Sequence, residues 1–244
     1  MKKATLLLLA LSFFAFTGCD KDEDPNPGEV TLRVSFVSNG APVAINDVLP
    51  YNGNDHKISL VKMYLSNLAL QCSCGSIENL AEVVLVDSDQ DQYSFTFEVD
   101  PGTYTGLQMS LGLPSELNGQ DPSIFAADHP MSAQQNMYWT WASKYRFLIY
   151  EGKVDSTQSD NFDHFLVYHT GLDTLYRDMG TFPLSLTVEG DSKQTIDVTF
   201  DLLNVLYNVE DPIDVFMDDD THTMDHLDLA KRITDNAVAS FNIE

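Results

Sequence analysis

Val30-Thr31-Leu32-Arg33-Val34-Ser35-Phe36-Val37 alternates apolar with polar side chains. A period of two puts Val30, Leu32, Val34 and Phe36 on one face and Thr31, Arg33 and Ser35 on the other, the mark of a strand with one buried side. Similar runs recur down the chain. Residues 57–70 (KISLVKMYLSNLAL) are rich in β-branched and aromatic side chains and alternate in part. Residues 81–86, 93–99, 105–113, 145–150, 165–168, 182–188 and 195–202 are further short apolar or alternating runs, punctuated by Asn/Gly, Asp/Gln and Pro/Gly clusters. Many short strands with regular turns predict an all-β fold, an antiparallel β-sandwich of Ig-like type. The end departs from this pattern. Leu227, Leu229, Ala230, Ile233, Ala237 and Val238 recur with helical spacing, which predicts a short C-terminal helix with Thr223 or Asp225 as its cap.

The first residues carry an address rather than a fold. Lys2 and Lys3 precede an apolar stretch, residues 6–16, too short to span a bilayer, and Thr17-Gly18-Cys19 follows. A basic start, a short apolar core and small residues before a cut make a secretory signal peptide. Cysteine directly after Thr-Gly resembles a bacterial lipobox, in which Cys19 is lipidated and becomes the mature N-terminus; the alternative is an ordinary signal peptide with an incidental cysteine. Asp20-Lys21-Asp22-Glu23-Asp24-Pro25-Asn26-Pro27-Gly28 is too charged and too proline-rich to bury a core. It is a solvated tether, and its acidic cluster reads equally as a surface-export signal or a plain spacer. The expected organisation is a lipoprotein signal peptide over 1–18, a lipidated acidic tether over 19–28 and one β-sandwich domain over 29–244. The anchor would be the lipid on Cys19, in the outer membrane of a cell envelope, on its periplasmic or surface face.

Composition narrows the partners. Thirteen Lys and Arg stand against 37 Asp and Glu, a net charge of −24, which argues against electrostatic binding of nucleic acid or anionic lipid. Beyond Cys19 the cysteines are Cys72 and Cys74, in Gln71-Cys72-Ser73-Cys74-Gly75. Outside the cytosol such a pair forms a disulfide or stays partly free; two thiolates on a soft metal are the weaker alternative.

Two clusters carry soft-metal chemistry. His129-Pro130-Met131-Ser132 leads into Met137-Tyr138-Trp139-Thr140-Trp141, which holds both tryptophans of the chain. Its bland reading is a core strand with large aromatics. His222-Thr223-Met224-Asp225-His226 repeats the theme just before the helix, and its bland reading is a solvated loop beside Asp218-Asp219-Asp220. Imidazole and thioether donors together favour copper over magnesium or calcium. His164 and His169 flank a strand at an odd separation, so they face opposite ways. His169, at the strand end before Thr170-Gly171, is the better site residue, and His164 the surface one.

Other chemistries lack their motifs. The acidic run Asp87-Ser88-Asp89-Gln90-Asp91 imitates a calcium loop, but Gln92 stands where the sharp turn needs glycine, and the flanks are strands. There is no nucleophile elbow, zinc-protease motif, phosphate-binding loop or Cys-x-x-Cys. The expectation is a binding protein rather than an enzyme.

In their order, these pieces resemble the MbnP-like copper-binding proteins. The likeness rests on Lys62-Met63-Tyr64-Leu65-Ser66-Asn67-Leu68, Pro101-Gly102-Thr103-Tyr104 and His129-Pro130-Met131 before the Met-Tyr-Trp-x-Trp box. It continues through Tyr145-Arg146-Phe147, Glu151-Gly152, Tyr168-His169-Thr170-Gly171, and His222-Thr223-Met224 ahead of Leu229–Asn236. The resemblance implies a β-rich extracytoplasmic domain that holds copper, as Cu(I) or Cu(II), through histidines. It also implies a diheme peroxidase-like partner that oxidises a tryptophan to kynurenine. Carried onto this chain, His129, His169 and His222 become candidate ligands, Met224 a soft fourth, and Trp139 and Trp141 candidates for oxidation, with Trp141 preferred. Cys72 and Cys74 lie outside that pattern.

The expected function is therefore copper binding for acquisition or storage by a lipid-anchored protein, with affinity falling as pH drops through the histidine range. The alternative is a metal-free surface lipoprotein whose aromatic box contacts a protein or a glycan.

Overall fold

The computed structural model describes residues 26–139 and 144–243. Cys19, the signal peptide and most of the tether lie outside the described residues, as does Trp141. Thirteen strands fall among those residues: β1 (Gly28–Ser38), β2 (Ala41–Pro42), β3 (Leu49–Tyr51), β4 (Asn54–Cys72), β5 (Ile77–Asp87), β6 (Ser94–Val99), β7 (Gly102–Leu111), β8 (Leu148–Asp155), β9 (His164–Thr170), β10 (Arg177–Val188), β11 (Lys193–Asp201), β12 (Asp220–Thr221) and β13 (Phe241–Ile243). Three helices accompany them, α1 (Ser115–Asn118), α2 (Asn204–Tyr207) and α3 (Leu227–Val238).

The strands form two sheets. The smaller one sets β1 between β6 and β11, with β13 beyond β11 and β2 at the end of β1. The larger runs β10-β7-β4-β8-β9-β12, and the long β4 also pairs β3 and β5. The chain is thus an all-β sandwich closed by a C-terminal helix, as the alternation predicts. The sheets are mixed rather than purely antiparallel, since β1 runs parallel to β11 and β12 parallel to β9. Alternation specifies which face is buried; it does not specify the partner strand or its direction.

The two faces of the larger sheet do different work. Met63, Leu65, Leu148 and Tyr150 pack toward the smaller sheet, in the inter-sheet core with Val30, Leu32, Val34 and Phe36. Their neighbours Tyr64 and Ile149 point the other way, into a second core with Met131, Met137, Tyr145, Phe147 and Ala230 of α3. The described residues between β7 and β8, together with α3, therefore lie over the outer face as a third layer. Being covered twice explains why Val61 to Ser66 are buried at every position, and why β4 alternates only in part.

Buried polar groups tie that outer layer down. Lys62 Nζ lies 2.8 Å from Asp87 and donates to the carbonyl of Gln135 at 2.7 Å. The Tyr64 hydroxyl donates to Pro130 O and the Tyr145 hydroxyl to Met131 O, both at 3.0 Å. Asp87 is thus committed to a buried ion pair, consistent with the failure of the calcium-loop reading.

Candidate metal centre

The site begins at the end of β9. His169 stands opposite Ile149 of β8, so both side chains leave the sheet on its outer face. Glu151, two residues along β8, shares that face and reaches His169 diagonally: Nε2 and Oε1 are 2.7 Å apart. The His169 side chain is 10% exposed. Its other ring nitrogen, Nδ1, is buried without a hydrogen-bond partner. A buried imidazole with one nitrogen fixed by a carboxylate and the other unmatched has the arrangement that metal-bound histidines use.

His222 arrives through β12. That strand pairs parallel with Val167 and Tyr168, which delivers the next residue beside His169. The two imidazole rings meet edge to face with centroids 5.1 Å apart. His222 also has a carboxylate behind it, with Nδ1 3.4 Å from Asp225 and 3.9 Å from Asp220. The turn holding it is tightly made. Asp225 Oδ1 accepts the backbone N–H of His222 at 2.7 Å and of His226 at 2.8 Å. Thr223 has φ of +69°. A β-branched residue adopts that conformation only when its surroundings enforce it. Here the fully buried Thr223 donates through Oγ1 to the carbonyl of His169 at 2.9 Å, locking the two histidine segments together.

Trp139 completes the cluster from the outer layer. Its ring lies 5.8 Å from His169 and 6.0 Å from His222. The Arg146 guanidinium stacks over it at 5.3 Å and donates to the carbonyl of Asn136. Backbone bonds Trp139 N–Lys144 O (2.6 Å) and Arg146 N–Met137 O (2.7 Å) set the indole in place.

The electrostatics suit a cation. The hydrogen bond to His169, helped by the nearby Arg146 guanidinium, outweighs burial and holds the Glu151 carboxyl below the usual glutamate range. Burial pushes the Asp225 carboxyl up, but the backbone N–H groups of His222 and His226 prevail and leave it lowered. Asp220, His222 and Asp225 also form a group whose ligand atoms lie within 4.8 Å of one another. Two imidazoles backed by carboxylates beside an indole favour a soft or borderline metal over magnesium or calcium.

The structure thus brings together His169, His222 and Trp139. It leaves His129 apart: that ring stacks on Phe125 at 4.2 Å, its Nδ1 accepts the N–H of Met131, and no described contact joins it to the pair. Met224 is 56% exposed, with its side chain outside the cluster's ring and hydrogen-bond contacts. Met137, by contrast, is buried in the outer core. His164 faces away from His169, as the odd spacing predicts, and meets the carbonyl of Val215 at 2.7 Å. Neither Thr223 nor Asp225 caps the helix as expected; His226 precedes α3 without a side-chain cap, and the Asp225 carboxylate closes the 222–226 turn instead.

The geometry describes a β-sandwich whose outer face carries a carboxylate-backed histidine pair under an indole. A model of the MbnP family matches residues 27–225, and the chain belongs to that family. Among solved structures it is similar to MbnP from Methylosinus trichosporium, at 17% identity and a TM-score of 0.51, over 75% of this chain and 78% of the other. At that identity the likeness speaks for the fold. No match was found among curated proteins.

Proposed function

We propose that this chain binds copper outside the cytoplasm, for acquisition or storage and without catalysis, and that His169 and His222 are its imidazole ligands. The observation that carries the reading is the buried, unpartnered Nδ1 of His169, beside a second imidazole and opposite a carboxylate that fixes its other nitrogen. Membership of the MbnP family supports copper as the cargo. Neutral imidazoles would hold the ion, Glu151 and Asp225 would orient them and strengthen them as donors, and Trp139 would exclude water. His129 would join only by leaving Phe125 and releasing the N–H of Met131. Met224 would need to turn inward from solvent. Trp139, packed on both rings, and Trp141 would be the candidates for oxidation by a diheme peroxidase-like partner. Cys19 would carry the lipid that keeps the protein in the outer membrane.

The test is a Cu(I) and Cu(II) titration of the purified chain and of a His169→Ala/His222→Ala variant, with intact mass to detect tryptophan oxidation. One copper per chain, lost roughly a hundredfold or more in affinity by the folded variant, is the expected result. Equal binding by both proteins overturns the ligand assignment. No uptake by either leaves the metal-free surface module.

A further inference from the structure

The turn between β4 and β5 holds chemistry that the histidine cluster does not use. Cys72 ends β4, and its sulfur is bonded to that of Cys74, with Cα atoms 5.1 Å apart and a sequence separation of two. A bridge this short removes little freedom from the unfolded chain, because its residues are already neighbours. The folded turn does not need it either. Cys72 N–Ser76 O (2.9 Å), Gly75 N–Cys72 O (2.9 Å) and Ser73 N–Thr103 O (2.8 Å) hold the backbone, and Gly75 supplies the φ of +93° that the reversal requires. The bond therefore stands where stability gains least from it.

Its sulfurs are unequal in a way that suits exchange. Cys74 is exposed, whereas Cys72 is half-buried against the inter-sheet core. The backbone N–H of Cys74 donates to the sulfur of Cys72 at 3.1 Å, and Ser76 Oγ lies 3.1 Å from the sulfur of Cys74. An attacking thiolate reaches the open sulfur, and the departing one has a donor waiting for its negative charge.

We propose that the Cys72–Cys74 bridge is a thiol–disulfide exchange site that accepts electrons from a dithiol. A thiolate of the dithiol attacks Sγ of Cys74, the S–S bond breaks, and its electron pair leaves on Sγ of Cys72, where the N–H of Cys74 receives it. The second thiolate of the reductant then attacks its own sulfur in the mixed disulfide and expels Cys74. The reductant ends as a disulfide, and the chain gains two electrons and, at neutral thiols, two protons.

The experiment equilibrates the intact chain in glutathione mixtures of graded poise, quenches by alkylation and maps the peptide spanning 72–74 by mass. The expected result is reversible conversion to the dithiol in mixtures that leave ordinary structural disulfides closed, with unchanged β-sheet circular dichroism. When the bridge is reduced with glutathione and quenched early, fragmentation of the peptide should find the mixed disulfide on Cys74 roughly tenfold more often than on Cys72. A bridge that stays closed in every mixture overturns the proposal, and so does one whose reduction melts the sheet. Equal amounts of mixed disulfide on the two cysteines overturn the assignment of Cys74 as the attacked sulfur.

Discussion

Two histidines are buried on the larger sheet, and they are buried differently. His56 of β4 is fully buried, with Nε2 2.6 Å from the Tyr207 hydroxyl and Nδ1 3.3 Å from the carbonyl of Leu49. Tyr207 meets it edge-on at 5.3 Å and stacks on Tyr51 at 4.0 Å. Every polar atom of that ring is spent inside the fold. His169 is nearly as buried but keeps one nitrogen unspent, with another imidazole beside it. Burial alone does not mark a binding site. A buried donor or acceptor left unmatched calls for an explanation, because folding has paid to desolvate it and received no bond in return, and at His169 the second imidazole beside it points to a ligand.

The comparison breaks most readily at Glu151. Replacing Glu151→Gln keeps the shape and removes the charge behind His169, so copper affinity should fall about 10–100-fold while the fold persists. Isothermal titration beside circular dichroism checks this, and unchanged affinity would reduce Glu151 to a bystander. The matching change at the closed site works the opposite way. His56→Ala strands the Tyr207 hydroxyl and should cost about 1–3 kcal/mol in urea unfolding, with copper stoichiometry unaltered in the folded protein. Lost copper with unchanged stability would reverse the roles given to the two rings.

The smallest effect is in pH. Burial lowers the affinity of His56 for a proton, against weaker raising effects from the Leu49 carbonyl and the Asp55 charge. The unfolded chain therefore takes up a proton, near the ordinary imidazole value of about 6.5, before the folded chain does. The sign follows: the stability contribution of His56 is complete above that value, is lost as pH falls toward the lowered folded value, and is level below it. Urea midpoints measured on either side of that window should fall on acidification, and fall less steeply in a His56→Gln variant.

Much of the fold was legible in the chain, and the reason is local. The period of two in β1 and the helical spacing of α3 each report a single buried face. The expected strand at 145–150 begins only at Leu148, because Tyr145 and Phe147 belong to the connection packed on the outer core. The parallel pairing of β1 with β11 depends on contacts far apart in the chain, which alternation does not encode. The site was legible in part. His169 was marked by its place at a strand end, and His222 and Trp139 by their unusual company. Glu151 received no role, although an acid two residues beyond Ile149, in an otherwise apolar run, was the available signal. His129 carried the same chemical suggestion as His222 but was spent locally, on Phe125 and Met131.

The histidine pair is assembled from stretches that meet only when β12 lies against β9 and the outer layer settles on β8. The unfolded chain thus offers scattered single donors, and under the proposed function the affinity would be created by folding. By mass action, an ion that prefers the assembled site stabilises it, by about 2.7 kcal/mol at a hundredfold excess over its dissociation constant. If the proposed site takes up its ion, cargo and architecture would be thermodynamically coupled: the unfolded chain would be empty, and the bound ion would act as a clasp on the third layer.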